Sequence, residues 1–317
     1  MPALSVSAPA KTILFGEHAV VYQRPAIAVP VSNLRTKVNI FANPLGKPGV
    51  LLFDAPDIKI KQYSFELDKN HPFQIAINAV VDYFHLDHFP SCEITITSTV
   101  PIASGLGSSA STAVALIRAL VIFLGQRLND EGINNLAFQV EKIIHGNPSG
   151  IDNTVVAFEK PIYFIKQGPV EILELKNCLN LVIGNTGIHS LTKEVVSCVK
   201  EAWTQNRKKY EMIFDQIGEI SKSAKIAIIS GEIGKIGSLM NENHVLLKQL
   251  DVSCLELDKL VDTALKSGAL GAKLCGSGRG GNMVALLKGD ENRLHIQNAL
   301  ENAGAVQTFF TQIQPSK

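Results

Sequence analysis

A glycine-containing loop between a strand and a helix is the feature of this sequence that most constrains its fold. The stretch Pro101-Ile-Ala-Ser-Gly-Leu-Gly-Ser-Ser-Ala110 follows residues 93–100, whose alternating apolar and polar side chains predict a half-buried strand. It leads into residues 108–124, where an apolar run that Gly125 ends predicts a helix. Gly105 and Gly107 permit unusual backbone angles, and the N–H groups at a helix start attract anions. The loop therefore predicts a phosphate site, and a glycine turn with a serine cap is the simpler alternative.

Two glycine patterns also fit dinucleotide-binding fingerprints. Gly105-Leu-Gly-Ser-Ser-Ala110 fits GxGxxA, and Gly276-Ser-Gly-Arg-Gly-Gly281 fits GxGxxG. Such a fingerprint needs a βαβ unit with an acidic residue about 20 residues further on. Here that distance falls at the end of one predicted helix and inside another, so a nicotinamide-dependent dehydrogenase is a disfavoured alternative. The P-loop pattern fails, because Ile236 follows Gly234-Lys235 where Ser or Thr is required.

A second informative stretch is Glu141-Lys-Ile-Ile-His-Gly-Asn-Pro-Ser-Gly-Ile-Asp-Asn153. Glu141 falls in the last turns of a helix predicted over 130–145, and Asp152 lies beyond a tight turn rich in Gly and Pro. Two carboxylates on either side of such a turn can converge on one pocket, where one binds a metal and the other faces a substrate proton. Solvated acids at a capped helix end are the alternative.

Charged residues in a largely apolar setting mark two more stretches. Lys11, Glu17 and His18 lie in a strand and turn over 7–22, where the simpler interpretation is a structural ion pair and ordinary turn residues. Five glycines from Gly271 through Gly281 indicate that the backbone comes close to a ligand or to another loop. Arg279, within this run, is either a phosphate ligand or a solvated loop charge.

Composition excludes several functional classes. Lys+Arg is 30 and Asp+Glu is 29, so the net charge of +1 provides no broad basic face for nucleic acid. Five scattered cysteines without a CxxC pair make a disulfide framework or a structural zinc site improbable, and a cytoplasmic location is expected. The apolar stretch 113–124 is shorter than the about 20 residues that span a bilayer, and no secretory signal is visible. We therefore expect neither nucleic-acid nor membrane partners.

Mixed strand and helix patterns up to residue 180 change to a mostly helical pattern after it, which predicts an α+β chain of two domains, 1–180 and 181–317. Strands are predicted over 5–15, 26–40, 93–100, 162–165, 170–175, 179–185, 282–287 and 306–313, and residues 43–62 are predicted as a loop with short strands. Helices are predicted over 72–85, 108–124, 130–145 and 291–303, and through most of 191–267.

In their order along the chain these stretches resemble the GHMP kinase superfamily. Lys11-Thr-Ile-Leu-Phe-Gly-Glu-His-Ala-Val-Val-Tyr22 and His145-Gly-Asn-Pro-Ser-Gly-Ile-Asp-Asn153 are most similar to its mevalonate kinase branch. The resemblance implies the two-domain α+β GHMP kinase fold. Its N-terminal domain, with the phosphate-binding loop, is like domain 2 of ribosomal protein S5, and its C-terminal domain is ferredoxin-like. The chain departs from the pattern at Cys275-Gly-Ser-Gly-Arg-Gly280, where the family usually has Thr-Gly-Ala-Gly-Gly-Gly.

The resemblance also implies roles for individual residues. Asp152 matches the catalytic aspartate and Lys11 the lysine that pairs with it, while Ser109 and Glu141 match Mg²⁺ ligands. Glu17, His18 and Thr192 match positions that line the acceptor site. The positions that match the nucleotide-binding loop are Ser104, Gly105, Leu106, Gly107, Ser108 and Ser109.

The implied reaction is ATP-dependent phosphorylation of mevalonate on its C5 hydroxyl, a step of isoprenoid precursor biosynthesis. ATP is the co-substrate and Mg²⁺ the cofactor, and a homodimer is suggested by the resemblance alone. Two alternatives stay open at this point. One is another GHMP kinase, acting on phosphomevalonate or a sugar, and the other is a catalytically silent paralogue that senses a ligand.

Overall fold

The computed structural model describes residues 3–101, 105–146, 148–190 and 192–315. Over these residues the α-helices, in chain order, are α1 (Pro72–Tyr83), α2 (Ser108–Phe123), α3 (Asp130–His145), α4 (Ile151–Phe158), α5 (Thr192–Gln205), α6 (Arg207–Ser230), α7 (Ile233–Gln249), α8 (Leu255–Lys266) and α9 (Arg293–Asn302). The strands are β1 (Ala3–Phe15), β2 (Ala26–Ala42), β3 (Leu51–Ala55), β4 (Ile60–Tyr63), β5 (Cys92–Ser98), β6 (Ile162–Phe164), β7 (Glu171–Ile172), β8 (Leu179–Asn185), β9 (Gly271–Cys275), β10 (Asn282–Leu287) and β11 (Gln307–Ile313).

The predicted α+β class is confirmed, and two elements differ from the sequence prediction. Helix α4 occupies a stretch that was expected to be the far side of a turn. It has only eight residues, and its β-branched side chains at Thr154, Val155 and Val156 weaken the helical pattern. Strand β9 lies in what was expected to be a glycine-rich loop. All five of its residues are buried, so it shows no alternation of apolar and polar side chains.

One compact unit consists of Met1–Ala10, Asn33–Pro101 and Gly107–Glu159. In its sheet β5 lies between β2, which runs antiparallel to it, and β3, which runs parallel to it, and β4 pairs with β3. Helices α1 to α4 pack together in this unit, and α2 and α3 each contact the other three. The apolar run of α2 is buried along most of its length, so α2 is the central helix of the unit.

The other unit consists of Lys11–Ser32, Ile102–Leu106 and Lys160–Lys317. Its antiparallel sheet has the order β11-β8-β10-β9 and carries helices between β8 and β9 and between β10 and β11, the βαββαβ arrangement of ferredoxin-like domains. Helix α7 contacts β9 so closely that a Cβ on Gly271 would lie 2.5 Å from the Gly237 Cα. Glycine at this contact allows two backbones to touch.

Strands β1 and β2 continue from one unit into the other. The boundary at residue 180 concerns family domains that are continuous in sequence, and it stays a prediction. Across the described ranges, none of the helices combines the length and the apolar character that crossing a membrane requires.

Candidate active site

The predicted phosphate loop ends at the first residues of α2. Gly107 has φ 75°, in the left-handed region, and the helix begins at Ser108 without a side-chain cap from any residue that the structure describes. The Ser111 N–H closes the first turn on the Gly107 carbonyl at 2.9 Å. The first N–H groups of a helix have no partner within it, so this helix start can bind an anion. Ser104, the first residue predicted to bind nucleotide, lies outside the described residues.

Ser109 and Glu141 lie in contact. The Ser109 hydroxyl, in the first turn of α2, donates to Glu141 Oε1 at 2.6 Å, and the Glu141 side chain is buried on α3. The pair presents oxygen donors, the kind that Mg²⁺ prefers. Within the described part of the chain no three His, Cys, Asp or Glu side chains are grouped as a metal site. Such a pair suits an ion that takes its remaining ligands from water and phosphate, so the donor set fits Mg²⁺.

Asp152 lies in the first turn of α4. The preceding Gly150 has φ 89°, and its carbonyl oxygen accepts a hydrogen bond from the Thr154 hydroxyl at 2.6 Å. Asn153 fixes the helix to α3 by donating from Nδ2 to Asn134 Oδ1 at 2.5 Å. The Asp152 side chain is half-buried, between neighbours that are buried on both sides. The turn therefore holds this carboxylate at a defined helix start rather than leaving it in a mobile loop.

Lys11 binds the other end of the phosphate loop. Its side chain, 3% exposed, donates from Nζ to the Gly105 carbonyl at 3.1 Å, and its backbone N–H donates to the Leu106 carbonyl at 2.9 Å. Gly105 has φ 83°, which glycine adopts without strain. A buried ammonium group is therefore attached directly to the loop that is predicted to hold phosphates.

Glu17 forms a buried ion pair that the sequence did not predict. Its Oε1 contacts Lys273 Nζ from β9, and its Oε2 accepts from Asn243 Nδ2 of α7 at 3.2 Å. Burial raises the pKa of Glu17, and the positive charge of Lys273 opposes that rise. Both Glu17 oxygens are therefore engaged by other residues of the chain.

His18 and Thr192 meet at Ser277. His18 Nε2 donates to the Ser277 carbonyl at 2.9 Å, and the Thr192 hydroxyl donates to Ser277 Oγ at 3.4 Å. Burial lowers the pKa of His18 to about 4, so its imidazole is neutral at pH 7. With Nε2 carrying the proton, Nδ1 is the hydrogen-bond acceptor of the ring. Two of the predicted acceptor-site residues thus share one partner in the glycine-rich loop.

The glycine-rich loop approaches other backbone segments closely, as its composition predicted. A Cβ on Gly276 would lie 3.3 Å from the Gly105 Cα, so the two glycine loops touch. Arg279 donates from Nε to the Asp251 carbonyl at 3.0 Å and from Nη2 to Asp251 Oδ2 at 3.0 Å. This arginine therefore ties the loop to the segment after α7.

Sequence reasoning missed Lys273, Asn243 and Ser277 as parts of this arrangement. For Asn243 a signal was present, because it falls between Met240 and Leu247 on the buried stripe of α7. A polar residue at such a position needs a buried partner. For Lys273 and Ser277 the glycines around them dominated the pattern.

Comparison with known proteins places these features in a family. Residues 70–160 match the family model of the GHMP kinases N terminal domain, and residues 224–306 match that of the GHMP kinases C terminal. The mevalonate kinase of Pyrococcus horikoshii is 38% identical over 95% of this chain and 92% of its own length. The mevalonate kinase of Pyrococcus abyssi is 39% identical over 96% and 94%. The chain belongs to the mevalonate kinase family of GHMP kinases.

Solved structures of the mevalonate kinase family match the whole chain. The L. major mevalonate kinase in complex with R-mevalonate has a TM-score of 0.85 at 34% identity, covering 99% of this chain and 96% of that one. Lactococcus lactis galactokinase, 20% identical with a TM-score of 0.79 and covering 99% of this chain and 94% of its own, shares the fold alone. The predicted two-domain α+β GHMP kinase fold is confirmed.

Proposed function

We propose that this chain transfers the γ-phosphate of ATP to the C5 hydroxyl of mevalonate, giving 5-phosphomevalonate. The observation that carries the proposal is identity of 38% with a curated mevalonate kinase over 95% of this chain and 92% of the relative. Phosphoryl transfer depends mainly on positioning and charge neutralisation. In this proposal the side chains and the helix start of the candidate active site would supply both the positioning and the charge neutralisation.

In this proposal the phosphate loop and the start of α2 bind the nucleotide. The first N–H groups of α2, which have no partner within the helix, would donate to phosphate oxygens, and the helix dipole favours negative charge there. Lys11 holds the loop through the Gly105 carbonyl. Gly105 and Gly107, with φ 83° and 75°, let the described end of the loop adopt a backbone shape that other residues rarely adopt.

Ser109 and Glu141 would hold Mg²⁺ through their oxygens, as the donor set of this contact allows. The Ser109 hydroxyl, which donates its proton to Glu141 here, would have to turn away from that carboxylate to bind the ion through its oxygen. When bound, the ion neutralises phosphate charge and orients the transferred group. A carboxylate at the buried position of Glu141 favours a cation beside it.

Asp152 would accept or orient the proton of the acceptor hydroxyl, and Lys11 would favour the negative charge that develops on that oxygen. A positioned proton acceptor contributes about 10²–10⁴-fold to the rate. The rigid start of α4 supports this role, because Thr154 and Asn153 fix the turn that carries Asp152. His18 and Thr192 would contact the other polar groups of the acceptor.

An acceptor panel tests the proposal. The purified chain is incubated with ATP and Mg²⁺ and with mevalonate, phosphomevalonate, galactose or homoserine, and ADP release is measured. We expect release that depends on mevalonate and is lost in Asp152→Asn, which excludes a contaminating kinase. ADP release only with another acceptor would identify a different GHMP kinase, and none with any acceptor would favour a ligand-sensing protein.

Two further expectations stay predictions. A homodimer is testable by light scattering on the purified chain. The cytoplasmic location expected from the cysteine pattern is testable by cell fractionation.

A further inference from the structure

The Glu17 carboxylate is fully used by neighbouring residues. One oxygen contacts Lys273 Nζ, the other accepts from Asn243 at 3.2 Å, and the residue is 1% exposed. A carboxylate with both oxygens engaged and almost no exposed surface has no free edge for a ligand. The observed contacts therefore disagree with direct binding of an acceptor by Glu17, the role that resemblance implied.

Lys273 carries the other charge of this pair and is itself 0% exposed. Its ammonium group also donates to the Leu274 carbonyl at 2.7 Å. Burying an ion pair costs several kcal/mol per ion before the partners recover it, so a buried pair is a weak source of stability. The ion pair instead fixes the positions of both side chains, because moving either one would leave the other as a buried charge without a partner.

This ion pair fixes the position of the turn that carries His18. His18 has φ 61° and ψ −48°, a strained conformation for a residue other than glycine. Such a residue keeps its conformation only where its surroundings hold it. On one side Glu17 is tied to Lys273, and on the other the His18 ring donates to the Ser277 carbonyl at 2.9 Å.

Both attachments lead to the same segment of chain. Lys273 lies in β9, and Ser277 follows two residues after that strand ends at Cys275. The turn is therefore fixed to the strand and to the glycine-rich loop at once. A shift of Lys273 would move His18 relative to Ser277 and to Thr192, which contacts Ser277 Oγ.

We propose that Lys273 is a positioning residue of the acceptor site, and that Glu17 is its anchor rather than a ligand of the acceptor. Lys273 holds the Glu17–His18 turn in its strained conformation against β9 and the glycine-rich loop. The pair is also neutral overall, so it does not repel an anionic acceptor such as mevalonate. The inference rests on the proposed function, because it takes His18 and Thr192 to contact the acceptor.

The test compares Lys273→Met, Glu17→Gln and the double variant Glu17→Gln/Lys273→Met with Lys222→Met as a control. Lys222 forms an exposed ion pair with Glu219 on α6. We expect Lys273→Met to raise the KM for mevalonate at least about tenfold, equivalent to about 1.4 kcal/mol. The KM for ATP should stay within about twofold, and the double variant should be no worse than Lys273→Met. Lys222→Met should leave all of these constants unchanged.

Several results would overturn the role of Lys273. One is an unchanged mevalonate KM in Lys273→Met while the wild type turns over mevalonate. Another is a strong effect of Glu17→Gln alone with effects that add in the double variant, which would make Glu17 a direct ligand. If Lys273→Met does not fold, Asn243→Ala, which removes only the second contact to Glu17, must raise the same KM. Absence of turnover with any acceptor would overturn both the function and this inference.

Discussion

Substitution of Gly278 tests whether the glycine-rich loop needs its close backbone contact. Gly278 has φ 80°, and a Cβ there would lie 2.9 Å from the Val252 carbonyl carbon and closer still to its oxygen. That oxygen is already held by the Arg279 N–H at 2.8 Å. An added methyl group must therefore displace the loop or the segment after α7, since both neighbours are backbone.

Gly268 provides a matched control, because it has φ 96° but no atom of the described residues lies within 4 Å of the place that a methyl group would take. Alanine at a positive φ costs about 1–2 kcal/mol by itself. We therefore expect Gly268→Ala to lower the free energy of unfolding by about 1–2 kcal/mol. Overpacking adds about 1–3 kcal/mol, so Gly278→Ala should lose about 2–5 kcal/mol.

The assay is urea unfolding of both variants, with the mevalonate KM measured on the folded proteins. Only Gly278→Ala should raise that KM, because its displaced loop carries the Ser277 carbonyl that His18 needs. Equal losses of stability in the two variants would show that the backbone strain of a positive φ alone causes the loss, and that the close contact at Gly278 adds nothing to it. An unchanged KM in Gly278→Ala would separate the loop from acceptor binding.

Three more substitutions test the site and its surroundings. Asp152→Asn should lower kcat about 10²–10⁴-fold while the KM for ATP changes little, and steady-state kinetics with near-normal turnover would remove Asp152 from the chemistry. Ser109→Ala should raise the Mg²⁺ concentration for half-maximal rate about tenfold, whereas the exposed Ser238→Ala should not, and equal titrations would contradict the proposed metal site. Burial lowers the pKa of His244 to about 4 from 6.5, so the unfolded chain binds the extra proton between these values and stability falls as the pH drops from 6.5 toward 4. His244→Gln should make this fall shallower by up to about 1.4 kcal/mol per pH unit in urea unfolding at several pH values, and an unchanged slope would refute the assignment.

Local patterns predicted the elements with strong periodicity. Helix α2 was expected from its apolar run and closing glycine, and it spans Ser108–Phe123. Helix α4 and strand β9 were missed because a short β-branched helix and a fully buried strand lack a distinctive period. In both cases packing against neighbouring elements, which is absent from local sequence, decides the conformation.

The contacts in the candidate site also divide into those that the sequence predicted and those that it did not. The family resemblance predicted that Ser109 and Glu141 bind one metal ion, and Ser109 Oγ lies 2.6 Å from Glu141 Oε1. Nothing in the sequence paired Glu17 with Lys273, which lies 256 positions away. The contact between these two residues depends on how β9 and the turn after β1 pack in the folded chain, so it is visible only in the structure. Resemblance assigned Glu17 to the acceptor, whereas we propose a supporting role because of its contacts with Lys273 and Asn243.

A crystal structure of the chain with Mg²⁺, a non-hydrolysable ATP analogue and mevalonate would test the central claim most directly. We expect the metal on Ser109 and Glu141, the phosphates on the N–H groups at the start of α2, and the C5 hydroxyl within hydrogen-bond distance of Asp152. A nucleotide bound elsewhere, or a mevalonate hydroxyl remote from Asp152, would contradict the account.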